Sequence, residues 1–249
     1  MMLPFAVVLG LVIGSFLNVV VARLPEHRSL VAPGSACPGC GAALAWHDNI
    51  PLLSFALLRG RCRACAMPIS WRYPIIEAAT GLLFGAAFMR FGLSVDFVVA
   101  VVLLAALVVI TAIDLQHQVI PDAITLPGIV AGLLASVARR PGSIVDSLLG
   151  VVLGGGLFLV IILVSGGGMG GGDMKLGAML GAFLGWKVAL LALFFAVVAG
   201  GTLAIVLLAS GLRGRKDPVP FGPFLALGGA VGLFAGEGLL TWYLSAFAG

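Results

Sequence analysis

Charge is what this sequence has least of: of 249 residues only 14 are Lys or Arg and 10 are Asp or Glu, against 61% hydrophobic residues. The apolar residues come in long runs separated by short polar segments. That is far more than one soluble core would use, so an ordinary soluble domain is excluded and a polytopic membrane protein is predicted. A basic stretch ahead of the first apolar run is also missing. The positive charges follow it, at Arg23 and Arg28, which predicts a retained first helix rather than a cleaved secretory signal. Nor does any G-x-G-x-x-G turn lie between a strand and a helix, so the residues by themselves define no cofactor pocket.

A membrane span needs about 20 predominantly apolar residues. Eight segments come near that: Leu3 to Val21, Pro74 to Phe88, Val95 to Ile113, Ala123 to Ala138, Ile144 to Val164, Met174 to Trp186, Val188 to Ala209 and Phe221 to Phe247. The second, fourth and sixth are short or glycine-rich, which leaves the count at seven or eight. With the N-terminus outside and eight spans, the inner side holds Arg23, Arg28, Arg59, Arg61, Arg63, Arg72, Lys175, Arg213, Arg215 and Lys216. The outer side holds Arg90, Arg139, Arg140 and Lys187. This is the asymmetry of the positive-inside rule. The formal charge of +4 then reports topology and gives no reason to expect a nucleic-acid partner.

All four cysteines lie in the first long polar segment, as Cys37-Pro-Gly-Cys40 and Cys62-Arg-Ala-Cys65 with 21 residues between the pairs. A tight turn inside each pair points both thiolates at one ion, and two such knuckles make a closed tetrahedral S4 site, which predicts structural zinc. Two disulfides are the alternative reading. Charge asymmetry places the loop in the reducing cytoplasm, where disulfides rarely persist. His47 lies in the same loop, but four thiolates already fill the site. His27 and His117 stand alone at polar boundaries and read as solvated.

An acid at the edge of a membrane helix is costly enough to need a reason. Asp122 follows Pro121 and opens an apolar helix, which an N-cap explains. Asp173, in "GGGMGGGDMKLGAML" from Gly166 to Leu180, also precedes a helix, and the positive end of the helix dipole favours it there. Asp114 is different. It ends the run "VVLLAALVVITAID", where a carboxylate meets the negative end of the dipole at a cost of up to about 1 kcal/mol. Something else must hold it. In the eight-span topology Asp114 and Asp173 lie at the same depth on the inner side, and two carboxylates brought together can divide the roles of acid and base. The glycines beside Asp173, among them Gly170 and Gly172, leave room for an extended backbone to approach. Non-helical backbone is tolerated there if it is buried in protein or lines a wet cavity.

At this point the sequence resembles the type IV prepilin peptidases, membrane aspartic peptidases of the GxGD class. The resemblance runs through "GSFLNVVVARLP" (Gly14 to Pro25), "CPGC" at Cys37, "WHDNIPLLSFALLRGRCRAC" (Trp46 to Cys65) and "ISWRYPIIE" ending at Glu77. It continues through "IDLQHQVIPDAITLP" (Ile113 to Pro127), "GMGGGDMKLGAMLG" (Gly168 to Gly181) and "PFGPFLALG" (Pro220 to Gly228). It implies an all-α polytopic protein of the bacterial inner membrane, with about eight transmembrane helices and a small cytoplasmic zinc-binding loop domain between helices 1 and 2. The implied division is a first helix at 1–22, a tetracysteine domain associated with methyl transfer at 23–71 and a peptidase core at 72–249.

The activity that the resemblance implies is twofold. The basic leader of a prepilin or pseudopilin is cut on the cytoplasmic side, and the new N-terminal residue is methylated with S-adenosylmethionine. The catalytic pair matches Asp114 and Asp173. Many members carry a glutamate where this chain has Gly168, so any contribution from that acid is lacking here. Lys175 is matched too, either to steady a carboxylate or to snorkel to the inner surface. Glu77, about one turn inside the second span, is a candidate for the methyl-transfer site or for the pilin N-terminus, with an ion pair to Arg61 or Arg72 as the plainer alternative. Asn18 and Arg23 stand near enough in the pattern to join such a pocket.

Three rival readings differ in what they require. Another GxGD intramembrane protease, of the presenilin or signal peptide peptidase kind, would carry a Pro-Ala-Leu element, which is absent from this chain. A proton-coupled transporter would use the paired aspartates as a relay and the glycine break as a discontinuous helix. A membrane-anchored zinc-ribbon adaptor would have no need of the aspartates.

Overall fold

The structure, a computed structural model, describes residues 2–139, 143–164, 169–211 and 219–247. Gly168, Arg140, Arg213, Arg215 and Lys216, which the sequence reading used, lie outside these. Helices dominate: α1 (Met2–Arg23), a short α2 (Leu53–Leu57), α3 (Arg72–Phe91), α4 (Val95–His117), α5 (Asp122–Arg139), α6 (Ser143–Val164), α7 (Gly171–Ala209) and α8 (Gly222–Phe247). Among the described residues seven of them are long and apolar enough to cross a membrane. Large apolar side chains that a soluble protein would hide are exposed in helical register, as with Phe5, Val8, Val12 and Phe16 on α1 and Leu126, Val130, Leu134 and Val137 on α5. Such stripes suit lipid contact.

The chain divides into two compact units, Met1–Phe97 and Val98–Gly249. In the first, α1 and α3 pack antiparallel through small residues. A methyl group on Gly10 would stand 2.8 Å from the Gly81 Cα, and one on Gly14 would stand 2.8 Å from the Glu77 Cα. Such close backbone approach is how membrane helices associate where no hydrophobic force separates protein from lipid. The polar loop between α1 and α3 is anchored by Arg23, which donates to the carbonyls of Ser29 (2.9 Å) and Gly34 (3.3 Å).

In the second unit α6 and α7 meet at paired glycines, Gly150 and Gly154 against Gly181 and Gly177, where any Cβ would strike a facing carbonyl. The 39-residue α7 is broken at Gly185, whose φ of 74° and ψ of 165° suit glycine in particular. The chain reverses there. On the first limb, passing from Leu180 to Leu184 moves along α8 from Gly229 to Gly232. On the second limb, passing from Val188 to Gly200 moves back from Gly236 to Phe221. The break separates the two apolar segments that the sequence reading put at Met174 to Trp186 and Val188 to Ala209, and it accounts for seven continuous helices carrying eight apolar limbs. The first limb, 171–184, is only about 21 Å long at ~1.5 Å per residue. Its last carbonyls have no partner within the helix, and Arg139 donates to the Phe183 carbonyl at 2.6 Å, a cation at the negative end of a helix.

Candidate active site and metal centre

The end of α4, the start of α5, the start of α7 and the start of α8 come together at one end of the second unit. Asp114 and Asp173 both lie there, 4% and 9% exposed, and they are close enough to act on each other electrostatically. Asp114 sits in the last turn of α4, where its own helix dipole opposes it. What holds it is a second helix: the Gly222 N–H, the first of α8, donates to its Oδ2 at 2.8 Å. The positive end of α8 thus offsets the negative end of α4. Glycine is required at this contact, because a Cβ on Gly222 would lie 2.7 Å from the same oxygen. Sequence reasoning missed Gly222. Pro223 in the first turn marks a helix start, but nothing in one dimension says which side chain that start will face.

Asp173 is the third residue of α7 rather than a residue ahead of it. Its Oδ2 accepts the Gly170 N–H at 3.3 Å while its own N–H donates to the Gly170 carbonyl at 3.2 Å. The carboxylate therefore turns back over the helix start, as an acid at this position of a capping box does. Gly172 is explained by packing, since a Cβ there would lie 2.9 Å from the Ile120 Cβ. Gly171 faces open space. Lys175 Nζ donates to Asp122 Oδ2 at 2.6 Å, so the acid read as a plain cap is the partner of Lys175, and the pair ties the first turn of α7 to that of α5.

In the first unit the four cysteine sulfurs lie within 4.8 Å of one another, and those of Cys37 and Cys65 are 3.8 Å apart. Zinc–sulfur bonds of about 2.3 Å in a tetrahedron give sulfur–sulfur edges of ~3.8 Å, whereas a disulfide closes to about 2.05 Å. The donor set fits a tetrahedral metal. The two knuckles repeat one backbone pattern at an offset of 25, from 37 to 62. Gly41 and Ala66 donate to the carbonyls of Cys37 and Cys62, Leu44 and Ile69 to those of Ser35 and Gly60, and bridges pair Ala36 with Ala43 and Arg61 with Pro68. The N–H groups of Cys40 and Gly39 pull the Cys37 thiol down to about 6, toward the thiolate a metal needs. His47 stands outside this cluster. Asp48 is gripped by Arg63 (2.7 Å from Nη2), which holds its carboxyl below the usual carboxylate range.

Glu77 is buried at 8% exposure. Its Oε2 accepts the Leu52 N–H at 2.9 Å, and Ser15 is its other partner. The ion pair to Arg61 or Arg72 that the sequence allowed is not formed. Beside it Asn18 donates to the carbonyls of Gly14 and Tyr73 (3.3 and 3.1 Å). Glu77, Asn18, Arg23 and the cysteine loop line a cavity of about 1090 Å³.

Comparison with known proteins agrees with this division. Residues 8–91 match the model of the bacterial peptidase A24 N-terminal domain, and residues 101–205 match that of the type IV leader peptidase family. A protein of Burkholderia pseudomallei (strain 1026b) named prepilin leader peptidase/N-methyltransferase is 43% identical over 95% of this chain and 86% of its own. One of the same name from Bacillus subtilis (strain 168) is 35% identical over 98% of each. A third, from Myxococcus xanthus (strain DK1622), is 46% identical over 85% of this chain, which spans 65% of that relative's length. No solved structure matches the chain. Taken with the helical architecture and the four-cysteine centre, these matches show that the chain belongs to the type IV leader peptidase family.

Proposed function

We propose that the protein removes the basic leader of a type IV prepilin or pseudopilin at the cytoplasmic boundary of the inner membrane, using Asp114 and Asp173, and then methylates the new N-terminus. The observation that carries the peptidase reading is the pair of buried carboxylates on two different helices at one end of the second unit, each held by a backbone N–H. With one carboxylate ionised and the other protonated, the first takes a proton from water as the water attacks the scissile carbonyl. The second donates to the carbonyl oxygen, and the amine leaves protonated without an acyl-enzyme. Gly170, where a Cβ would lie 3.6 Å from the Asp173 Oδ2, keeps the approach to that carboxylate slim enough for an extended backbone, while Gly172 supports the turn by packing on Ile120. The cytoplasmic placement of this end and of the cysteine loop follows from the arginine and lysine asymmetry. Structural zinc on Cys37, Cys40, Cys62 and Cys65 fixes the loop.

Methyl transfer is assigned to the first unit, with residues 23–71 as its zinc-supported domain and 1–22 as its anchor; of the 72–249 expected as the peptidase core, α3 belongs to the first unit and supplies Glu77, and both aspartates lie in the second. The cavity beside Glu77, about 1090 Å³, lies just above the upper end of the range of pockets that take small molecules, roughly 300–1,000 Å³. Asn18 Oδ1 in its wall is buried without a hydrogen-bond partner, as a ligand-facing acceptor would be. When bound, S-adenosylmethionine would supply an electrophilic methyl group there. The test incubates detergent-purified protein with a synthetic prepilin N-terminal segment and S-adenosylmethionine and reads the product by mass. Loss of the leader and gain of one methyl are expected with the native chain, and neither with Asp173→Ala. Leader removal by Asp114→Asn at near-native rate would end the two-aspartate mechanism.

A further inference from the structure

The methyl-transfer reading leaves one chemical demand unmet. An α-amine is mostly protonated at neutral pH, with an ordinary value of about 7.7–8.0, and an ammonium has no lone pair with which to attack a methyl group. A base must stand at the acceptor nitrogen. Two carboxylates line the cavity of the first unit, and they differ. Asp48 is engaged by Arg63 on both of its oxygens. Glu77 has only neutral donors, the Leu52 N–H and Ser15, and it shares the cavity wall with Asn18, whose Oδ1 has no partner. Leu52 itself holds a φ of 60°, a conformation that costs a non-glycine residue energy and that clusters at working sites.

The geometry points to an ammonium site at Glu77 and Asn18, where the α-amino group released by leader removal is held and gives up its proton to Glu77. It rests on the methyl-transfer half of the proposed function. Both oxygens suit the ligand, since an ammonium offers three donors and no acceptor. One N–H proton passes to the Glu77 carboxylate; the freed lone pair forms the N–C bond to the methyl of a sulfonium donor; the S–C bond breaks with its electrons left on sulfur as a neutral thioether.

Other charged groups face the same cavity. Arg23 reaches it from the end of α1, Arg28, Arg63 and His47 from the loop, and Arg72 and Tyr73 from the start of α3. Arg23 is bound to loop carbonyls, Arg28 pairs with Glu26, and Arg63 with Asp48. Cys37 and Cys62 also line it as proposed metal ligands. Glu77 alone among these is an acid without a cationic partner.

An α-ammonium occurs both on the methyl acceptor and on the methyl donor, so the test separates them. Zinc-loaded full-length protein in detergent is titrated with a peptide matching the mature N-terminus, with its amine free or acetylated, and separately with S-adenosylhomocysteine. The native protein is expected to bind the free amine at least tenfold more tightly than the acetylated peptide. Glu77→Gln, checked for zinc content and melting temperature, is expected to lose that preference while binding S-adenosylhomocysteine as before. Its methylation deficit should be about 100-fold at pH 6 and shrink roughly tenfold per pH unit toward pH 8, where the amine sheds its own proton. A deficit that stays flat with pH would mean a structural role and would overturn the proposal. So would native protein that ignores acetylation, a comparison that needs no variant, or a Glu77→Gln defect confined to S-adenosylhomocysteine. Native protein that distinguishes the two peptides but transfers no methyl group would instead sink the methyl-transfer reading and leave the amine site standing.

Discussion

Gly222→Ala tests the central piece of the proposed active-site geometry. The substitution keeps the α8 N–H and adds one methyl group, which would fall 2.7 Å from Asp114 Oδ2 and 3.1 Å from its Cγ. Carbon and oxygen do not approach so closely, and the neighbour is a short side chain on a packed helix with little room to retreat. The carboxylate must turn away, and the 2.8 Å bond from the Gly222 N–H is lost. A hydrogen bond to a charged group contributes about 1.5–3 kcal/mol, which is roughly 10- to 100-fold in rate at ~1.4 kcal/mol per decade. Misplacement of a reacting group by about 1 Å costs a similar factor again. Leader cleavage by Gly222→Ala, as kcat/KM on a synthetic prepilin, should therefore fall at least 100-fold while the protein still folds. Gly201→Ala is the matched control, since a Cβ there meets nothing within 4 Å and alanine is the better helix former by about 1 kcal/mol. Cleavage by Gly222→Ala within threefold of native would refute the argument that α8 holds Asp114 in place.

The Lys175–Asp122 pair is exposed at 30% and 54% of its side chains, and such pairs contribute up to about 1 kcal/mol. Lys175→Met should leave cleavage within about threefold, and a 100-fold loss would show that Lys175 acts on the aspartates directly. Metal analysis of purified protein should find one zinc per chain, reduced below half by Cys62→Ser. Chelation should open trypsin sites at Arg59, Arg61 and Arg63, and unchanged digestion would argue against a metal-held loop. Ala66 takes the left-handed position (φ 58°) that Gly41 fills in the other knuckle. Ala66→Gly should relieve about 1 kcal/mol of strain and raise zinc affinity roughly fivefold in a chelator competition, and weaker binding would contradict the symmetry of the two knuckles.

Much of the architecture was legible in one dimension because it rests on local rules. Apolar run length located the spans to within a few residues, since a helix in lipid has to satisfy its own backbone. The Cys-x-x-Cys spacing located the knuckles because the turn inside each pair is itself a local structure. The isolated position of Asp114 at the wrong end of a dipole was readable as a problem. Glu77 and Asn18 were readable as polar residues in apolar helices, though the absence of a cationic partner for Glu77 was not. The two roles considered for Lys175, steadying a carboxylate or snorkelling to the surface, were left open by the pattern, and its partner, Asp122, lies 53 positions away.

What the sequence determined by itself, then, was the membrane class, the helices, the tetrathiolate spacing and the identity of the acids that needed explaining, because each depends on composition or on neighbours within a turn or two. Tertiary structure decided the partners. The helix that holds Asp114 begins 108 positions later, and the amide that caps Glu77 belongs to a loop 25 positions earlier. Hydrogen bonds and close glycine contacts are short-range in space but have no range in sequence, so only the folded chain could say which groups meet.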